Sequence, residues 1–230
     1  MPKSYSSLEN RVLIALDCII FGFDGKDLKI LLVKRDIQPE KGKWALMGGI
    51  LEQNEVLDNA AERILNRLTG LHDTYMEQLY AFSKVNRDPV ERIISVAYYA
   101  VIDIAKHNEE LIEKYSAKWF SVSDVPELIF DHNIMVEKAI KRLRRRTAIR
   151  PIGFRLLPEK FTMLQLQKLY ETILNKKIDK RNFINKINSL NILIKLDEKD
   201  FKSSRKGSFL YMFDKDEYEE KVLNGFVFNI

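Results

Sequence analysis

Apolar residues crowd two runs near the start of the chain, Arg11 to Phe23 and Leu28 to Arg35, separated by the turn signal Asp24-Gly25-Lys26. This pattern predicts two long strands joined as a hairpin. Past the Lys41-Gly42-Lys43 turn, a short strand-like run Trp44-Ala45-Leu46-Met47 stops at Gly48-Gly49. The period then changes: Val56, Ala60, Ile64, Leu65 and Leu68 recur at helical spacing, predicting a helix over Glu55 to Leu68. Asn54 is the expected N-cap and Gly70 the residue just past the C-terminus. Tyr75 to Val85 and Arg92 to Ile104 return to strand patterns around the loop Asn86-Arg87-Asp88-Pro89, and Trp119 to Val122 reads as a last short strand.

The rest of the chain is patterned differently. Met135 to Arg150 reads as a helix with Val136, Ile140 and Leu143 on one face and a dense set of cations elsewhere. Two more helices follow, Met163 to Leu174 and Lys180 to Leu190. Thr162 and Gln165 have capping-box spacing before the first, and Asp179 is an N-cap for the second. Two strands, Ile192 to Leu196 and Phe209 to Phe213, then flank the polar loop Asp197 to Ser208. Helix, turn, helix, hairpin is the order of a winged helix.

Composition narrows the class. With 230 residues, 46% hydrophobic and 31% charged, a disordered chain is excluded and one large or two modest domains are expected. The one cysteine, Cys18, excludes an intramolecular disulfide framework or an all-cysteine metal site and reads as a buried structural thiol. No signal-peptide pattern opens the chain, and Asp17 interrupts an apolar stretch already short of the roughly 18 residues a membrane span needs. A soluble, cytoplasmic protein is therefore expected. Net charge matters most once divided: residues 1–133 carry 16 Lys+Arg against 21 Asp+Glu, a net of −5, and residues 134–230 carry 22 against 12, a net of +10. An acidic module joined to a basic one suggests that the first meets a small molecule or partner and the second a polyanion, most simply nucleic acid.

One stretch carries chemistry. Gly49, Glu55, Arg63, Leu65, Gly70 and Leu71 stand at the spacing of the Nudix box, G-x5-E-x7-R-E-U-x-E-E-x-G-U, and residues 10–133 resemble a Nudix domain. The resemblance implies an α/β/α sandwich with a mixed sheet. The unmatched positions are informative, because Ile64, Arg67 and Leu68 replace the three carboxylates of the signature helix. At i, i+3 and i+4 those carboxylates would converge on one helix face, where magnesium or manganese needs hard anionic oxygens to bridge a pyrophosphate. Glu62 lies on nearly the opposite side of the helix and does not substitute. Glu55 and Arg63 read as an ion pair that holds the Gly-rich turn. No catalytic residues, metal or cofactor are expected, and a cleft without its acids and metal has lost its reason to bind a triphosphate and is expected to take a neutral ligand.

Candidates to line that cleft are Asp17 in the first strand, Lys43 and Trp44 before the Gly-Gly turn, Glu52 in the loop and Arg92 at a later strand. Asp17 either faces solvent by ordinary alternation or points a carboxylate into the pocket, where it accepts from sugar hydroxyls. Trp44 is either a core aromatic or an apolar platform for a sugar face.

The C-terminal part, with Leu156-Leu157-Pro158, Phe161, Thr162, Gln165 and Lys168 to Glu171 ahead of Asp179 to Phe183, resembles the winged helix of Nudix-related transcriptional regulators. On its second helix Phe183, Ile184, Ile187 and Leu190 form the expected buried stripe. Lys180, Arg181, Asn182, Asn185, Lys186 and Ser189 are the candidate DNA-reading face, since Arg and Asn suit guanine and adenine edges and Lys suits phosphate. Lys202, Arg205 and Lys206 occupy the expected wing tip, and Arg142 to Arg146 are either further backbone contacts or a solvated linker face.

The expected organisation is an effector-sensing domain at 1–133, a linker helix and connection at 134–155 and a winged helix-turn-helix at 156–230. Taken over the whole chain, the pattern resembles the sugar-responsive, arabinose-utilisation branch of these regulators. That implies a non-enzymatic repressor of sugar utilisation, a homodimer on a palindromic operator released by a sugar such as L-arabinose, with no membrane partner. Two alternatives stay open: a divergent metal-dependent hydrolase with a nucleic-acid docking domain, its metal held by Glu52, Glu55 and other acids, and a regulator that answers ADP-ribose.

Overall fold

The computed structural model describes residues 12–72, 74–106, 109–201 and 205–230. Strand β1 (Leu13–Phe23) is apolar without alternation because helices cover both of its faces. Leu16, Cys18 and Ile20 pack toward helix α1 (Leu57–Thr69), and Ile19 and Phe21 toward helix α3 (His132–Ile149). Each such fully buried side chain contributes about 1.5–3 kcal/mol. Around β1 the sheet is mixed: β2 (Leu28–Lys34) pairs antiparallel through the expected hairpin and β6 (Ile93–Val101) pairs parallel on the other side. β4 (Met47–Ile50) also pairs with β1, β3 (Trp44–Ala45) and β7 (Ala117–Ser121) pair with β2, and β5 (Met76–Phe82) forms the far edge beside β6. The α/β/α sandwich follows.

Helix α1 begins two residues later than the spacing predicts. Its N-cap is Val56, with no side-chain cap, and Asn54 lies outside it. Glu55 is held out of the helix because its carboxylate accepts from the Glu52 backbone N–H and from Arg63. Gly70 ends the helix as expected, at φ 71° in the left-handed region. Cys18 is buried beside the Ala61 carbonyl, and burial pushes its thiol up to about 12, which fits an unreactive structural group.

Helix α3 is no solvated linker. It starts at His132, three residues before the expected Met135, and buries Met135, Val136, Ala139 and Leu143. Ile152, Phe154 and Leu156 of the following 3-10 helix (Pro151–Leu156) are buried in the same continuous core. Three of the cations read as possible DNA contacts are engaged internally, while Arg145 is exposed: Arg144 donates to the Ile173 carbonyl, and Arg142 and Arg146 both donate to Glu77 on β5. Tyr75 and Tyr99 hydroxyls donate to the same carboxylate. Burial pushes the Glu77 carboxyl up, but these four donors overcome it and hold it at about 2. A carboxyl depressed in the folded state contributes stability that is complete above its ordinary 4.5 and lost as pH falls through about 2. Acid unfolding followed from pH 4.5 to 2 should therefore be shallower in Glu77→Gln, which is also less stable at neutral pH. Parallel acid limbs in the two proteins would contradict this network.

The winged helix comprises β8 (Phe161–Thr162), α4 (Met163–Leu174), α5 (Lys180–Leu190), β9 (Leu193–Asp200) and β10 (Ser208–Phe213), with sheet order β8-β10-β9. The expected Thr162–Gln165 capping box and the Asp179 N-cap are both formed. Strand β9 runs to Asp200, past the expected Leu196: Ser208 and Phe209 pair with Asp200 and Lys199, and Lys195 and Lys199 lie over the Phe209 ring. A solvated two-stranded ribbon tolerates charges on both faces, so no alternation marks it. Helices α2 (Glu109–Lys114) and α6 (Lys215–Leu223) were not anticipated. Helix α6 buries no residue, so the apolar period was missing; the Asp214 cap and Tyr218, packed near Phe213 and Phe228, fix it instead. Among the described residues, no helix is long and apolar enough to cross a membrane.

Candidate functional site

A cleft of about 500 Å³ opens over the junction of β1, β4 and the first turn of α3. Its floor is a buried charge cluster. Asp17, which pairs across the sheet with Gly48, accepts from the Ser95 hydroxyl and lies 3.5 Å from Arg87. Arg87 makes a two-bond pair with Asp131, at 2.8 and 3.2 Å. His132 completes the cluster: its Nδ1 accepts from the Leu46 N–H at 3.0 Å, which leaves Nε2 to carry the proton 3.6 Å from Asp17. Burial pushes the His132 pKa down, so the ring is neutral at pH 7. Gly48 is required by close approach, because a Cβ there would stand 2.6 Å from the Asp17 carboxylate and 2.7 Å from the Leu16 carbonyl.

Above this floor the wall is cationic. Lys34, Arg35, Arg67 and Lys114 line the cleft with Tyr115 and Phe130, against the acids Asp36 and Asp88. Arg87 is outnumbered in the floor by Asp131 and Asp17, a surplus of one negative charge, and the wall's surplus of two positive charges outweighs it, leaving a net positive site that suits a phosphorylated ligand. The expectation of a neutral ligand weighed only the loss of the acids, whereas Arg67 in place of a carboxylate also raises the local positive charge.

Of the five candidate effector residues, Asp17 alone lines this cleft. Lys43 is exposed and paired with Glu40. Trp44 packs edge-on to Phe120 at 4.8 Å, against the core, because its β3 position sits under the α3 side of the sheet. Glu52 is exposed and near Arg63, and Arg92 donates to the Ser83 and Lys84 carbonyls, fixing the loop that carries Arg87. Arg87, Asp131 and His132 were missed. The available signal was Asp17 itself, since a carboxylate within an apolar strand needs a buried partner.

The donor set does not fit a divalent cation. Ile64 and Leu68 are fully buried in the core beneath α1, and Arg67 is a cation. Glu55 is engaged by Arg63, whose hydrogen bond pulls the carboxyl below its ordinary range. Among the described residues, no three His, Cys, Asp or Glu side chains group as metal ligands.

In the winged helix, Lys180, Arg181, Asn182, Asn185, Lys186 and Ser189 are all exposed on α5; Arg181 and Asn185 lie opposite the buried Phe183, Ile187 and Leu190, and Lys180 and Lys186 flank that stripe. Ile184 is half-exposed rather than part of the buried stripe. Ser189 donates to the Lys186 carbonyl. Arg205 and Lys206 are exposed in the turn before β10, and Lys202 lies outside the described residues.

Comparison with known proteins matches both modules. The NUDIX domain family model matches residues 12–143, and the NrtR DNA-binding winged helix domain matches residues 153–213. A relative from Acinetobacter baylyi, the ADPR responsive transcriptional repressor NtrR, is 30% identical over 211 residues, covering 90% of this chain and 84% of the relative. An ADP-ribose pyrophosphatase from Methanocaldococcus jannaschii is 35% identical over 136 residues, 57% of this chain and 73% of its own. Among solved structures, Shewanella oneidensis NrtR complexed with a 27mer DNA superposes with TM-score 0.80 at 27% identity, covering 87% of this chain and 93% of that one. The NUDIX domain of the same protein complexed with ADP ribose superposes with TM-score 0.50 at 29% identity, over 62% and 93%.

Proposed function

Because this chain belongs to the NUDIX domain family and carries an NrtR-type winged helix behind that domain, we propose that it is a transcriptional repressor whose operator affinity is lowered by ADP-ribose. The observation that carries the reading is the relative described as an ADPR responsive repressor, similar across both modules. The cationic cleft supports it, since a diphosphate needs counter-charge and a sugar such as L-arabinose does not. Where the proteins named above carry a small-molecule ligand in their names it is ADP-ribose, which does not support the arabinose expectation, and that expectation is set aside.

The physical route from ligand to DNA runs through α3. Its N-cap Asp131 holds Arg87, its first residue His132 lines the cleft, and its length packs against both the sheet and α4. A ligand that meets Arg87 or His132 therefore acts on the helix that positions the winged helix. It shifts the equilibrium only as far as it prefers one arrangement over the other. The NUDIX module is read as non-catalytic, because the residues at positions 64, 67 and 68 cannot hold a metal that activates water. A homodimer on a palindromic operator is the form in which two α5 helices reach successive major grooves.

The test is a gel-shift titration of the full chain on the region upstream of its own gene neighbourhood, with ADP-ribose and L-arabinose as competitors. ADP-ribose should release the DNA and be recovered intact, with arabinose inert. Release by arabinose alone would sink the reading, and magnesium-dependent consumption of ADP-ribose would favour the hydrolase, a reading supported by the pyrophosphatase relative.

A further inference from the structure

We propose that Arg67 takes the place of the divalent cation of a catalytic NUDIX site, binding the diphosphate of the effector without metal and without turnover. This rests on the ADP-ribose reading and names the group that holds the ligand's most charged part.

The first observation is position. Arg67 occupies one of the three places where the family's signature helix carries metal-binding carboxylates, and it is the one of those three whose side chain reaches the cleft. Ile64 and Leu68, its neighbours in that set, are fully buried in the core. A glutamate at either would have to enter an apolar environment.

The second observation is availability. The other cation of this helix, Arg63, is consumed by two hydrogen bonds to Glu55 and a third to the Ile50 carbonyl. Arg67 donates only a long bond, 3.3 Å, to the Gly48 carbonyl, and its guanidinium lies 6.0 Å from the Tyr115 ring. Among the described residues no carboxylate forms an ion pair with it. That carbonyl belongs to the residue paired across the sheet with Asp17, which places Arg67 at the cleft edge formed by β4. The fork geometry of a guanidinium matches two phosphate oxygens at once, and Lys34, Arg35 and Lys114 add charge around it.

The chemical consequence separates sensing from hydrolysis. A divalent cation both neutralises a diphosphate and lowers the pKa of bound water until it attacks. A guanidinium neutralises and hydrogen-bonds, but it offers no coordination position for water and keeps its proton near pH 7. Replacing the metal by Arg67 thus keeps the affinity for the diphosphate while removing the nucleophile.

Binding of ADP-ribose and of inorganic pyrophosphate to the full-length protein is measured by calorimetry, with EDTA and again with magnesium. Wild-type affinity for both should be indifferent to EDTA. Arg67→Ala should weaken both by about 10- to 100-fold, the range for loss of a charge-assisted pair. Arg67→Lys should recover only part, since a point charge cannot reproduce the fork. Arg67→Gln is the second variant should the alanine protein lose its urea-unfolding midpoint. Binding that disappears in EDTA, or that Arg67→Ala and Arg67→Gln leave unchanged, overturns the assignment. Pyrophosphate binding that depends on Arg67, together with no binding of ADP-ribose, keeps Arg67 and discards the ADP-ribose reading. A wild-type protein that binds neither discards both.

Discussion

Replacing Arg87 by alanine should lower folding stability by about 3–5 kcal/mol, the cost of breaking a buried ion pair from one side. Its side chain is only 3% exposed and holds Asp131 and Asp17 together, each 10% exposed. Removal leaves two carboxylates in the floor without a counter-charge, Asp17 keeping only the Ser95 hydroxyl and the neutral His132 beside it. Urea unfolding followed by far-UV circular dichroism should show a lower midpoint with an unchanged slope. Arg87→Lys should fall between, because a single ammonium cannot meet both acids with the two-bond geometry observed for Asp131. A loss below about 1 kcal/mol, typical of solvated surface pairs, would mean that water from the cleft satisfies the acids and that the floor is not dry. The same substitution also loosens the tie between the cleft and the start of α3, so it should reduce the ability of ADP-ribose to release DNA from whatever protein remains folded.

The second large effect is on DNA. Arg181→Ala and Asn185→Ala should each lower specific operator affinity by about 1–3 kcal/mol and relax preference at the contacted base pair. Both side chains are exposed one helical turn apart on α5, on the face opposite the buried Phe183 and Ile187. Asp179 caps the helix by accepting from the Asn182 backbone N–H, which fixes the direction of that face without using the Asn182 side chain. Lys180→Ala and Lys186→Ala should act differently, weakening all DNA alike and reducing the salt dependence by about one unit each. Fluorescence anisotropy on operator and scrambled duplexes at several salt concentrations separates the two kinds of residue. Equal losses on both duplexes for Arg181→Ala would remove it from base reading, and unchanged affinity for both α5 variants would move the DNA interface elsewhere. ADP-ribose binding should be untouched in all four, since α5 does not line the cleft.

The difference between these two sites explains how far the chain could be read. The α5 face was legible because its chemistry is local: an N-cap, a 3.6-residue period and exposed polar groups all lie within one helix. The hairpin of β1 and β2, the Gly70 helix stop and the Thr162 capping box were legible for the same reason. The cleft over β1 and β4 was not. Asp17, Arg87 and the adjacent pair Asp131 and His132 come from three places far apart in sequence, and each alone looks like an ordinary strand, loop or helix-start residue. The linker arginines misled for a related reason, since Arg142 and Arg146 are basic side chains whose partner, Glu77, lies on a distant strand.

The sequence by itself therefore determined the two modules, the mixed α/β order, the absence of the metal-binding acids and the exposed polar face of α5, because periodicity, capping and motif spacing are short-range properties. Only the tertiary structure decided that Asp17 is the centre of a buried charge cluster, that the cleft is cationic, and that its floor is made by the helix leading to the winged module. Burial makes an unpaired charge costly, so the partner must come from wherever the fold can bring one, and nothing in the local pattern of the chain says where that is.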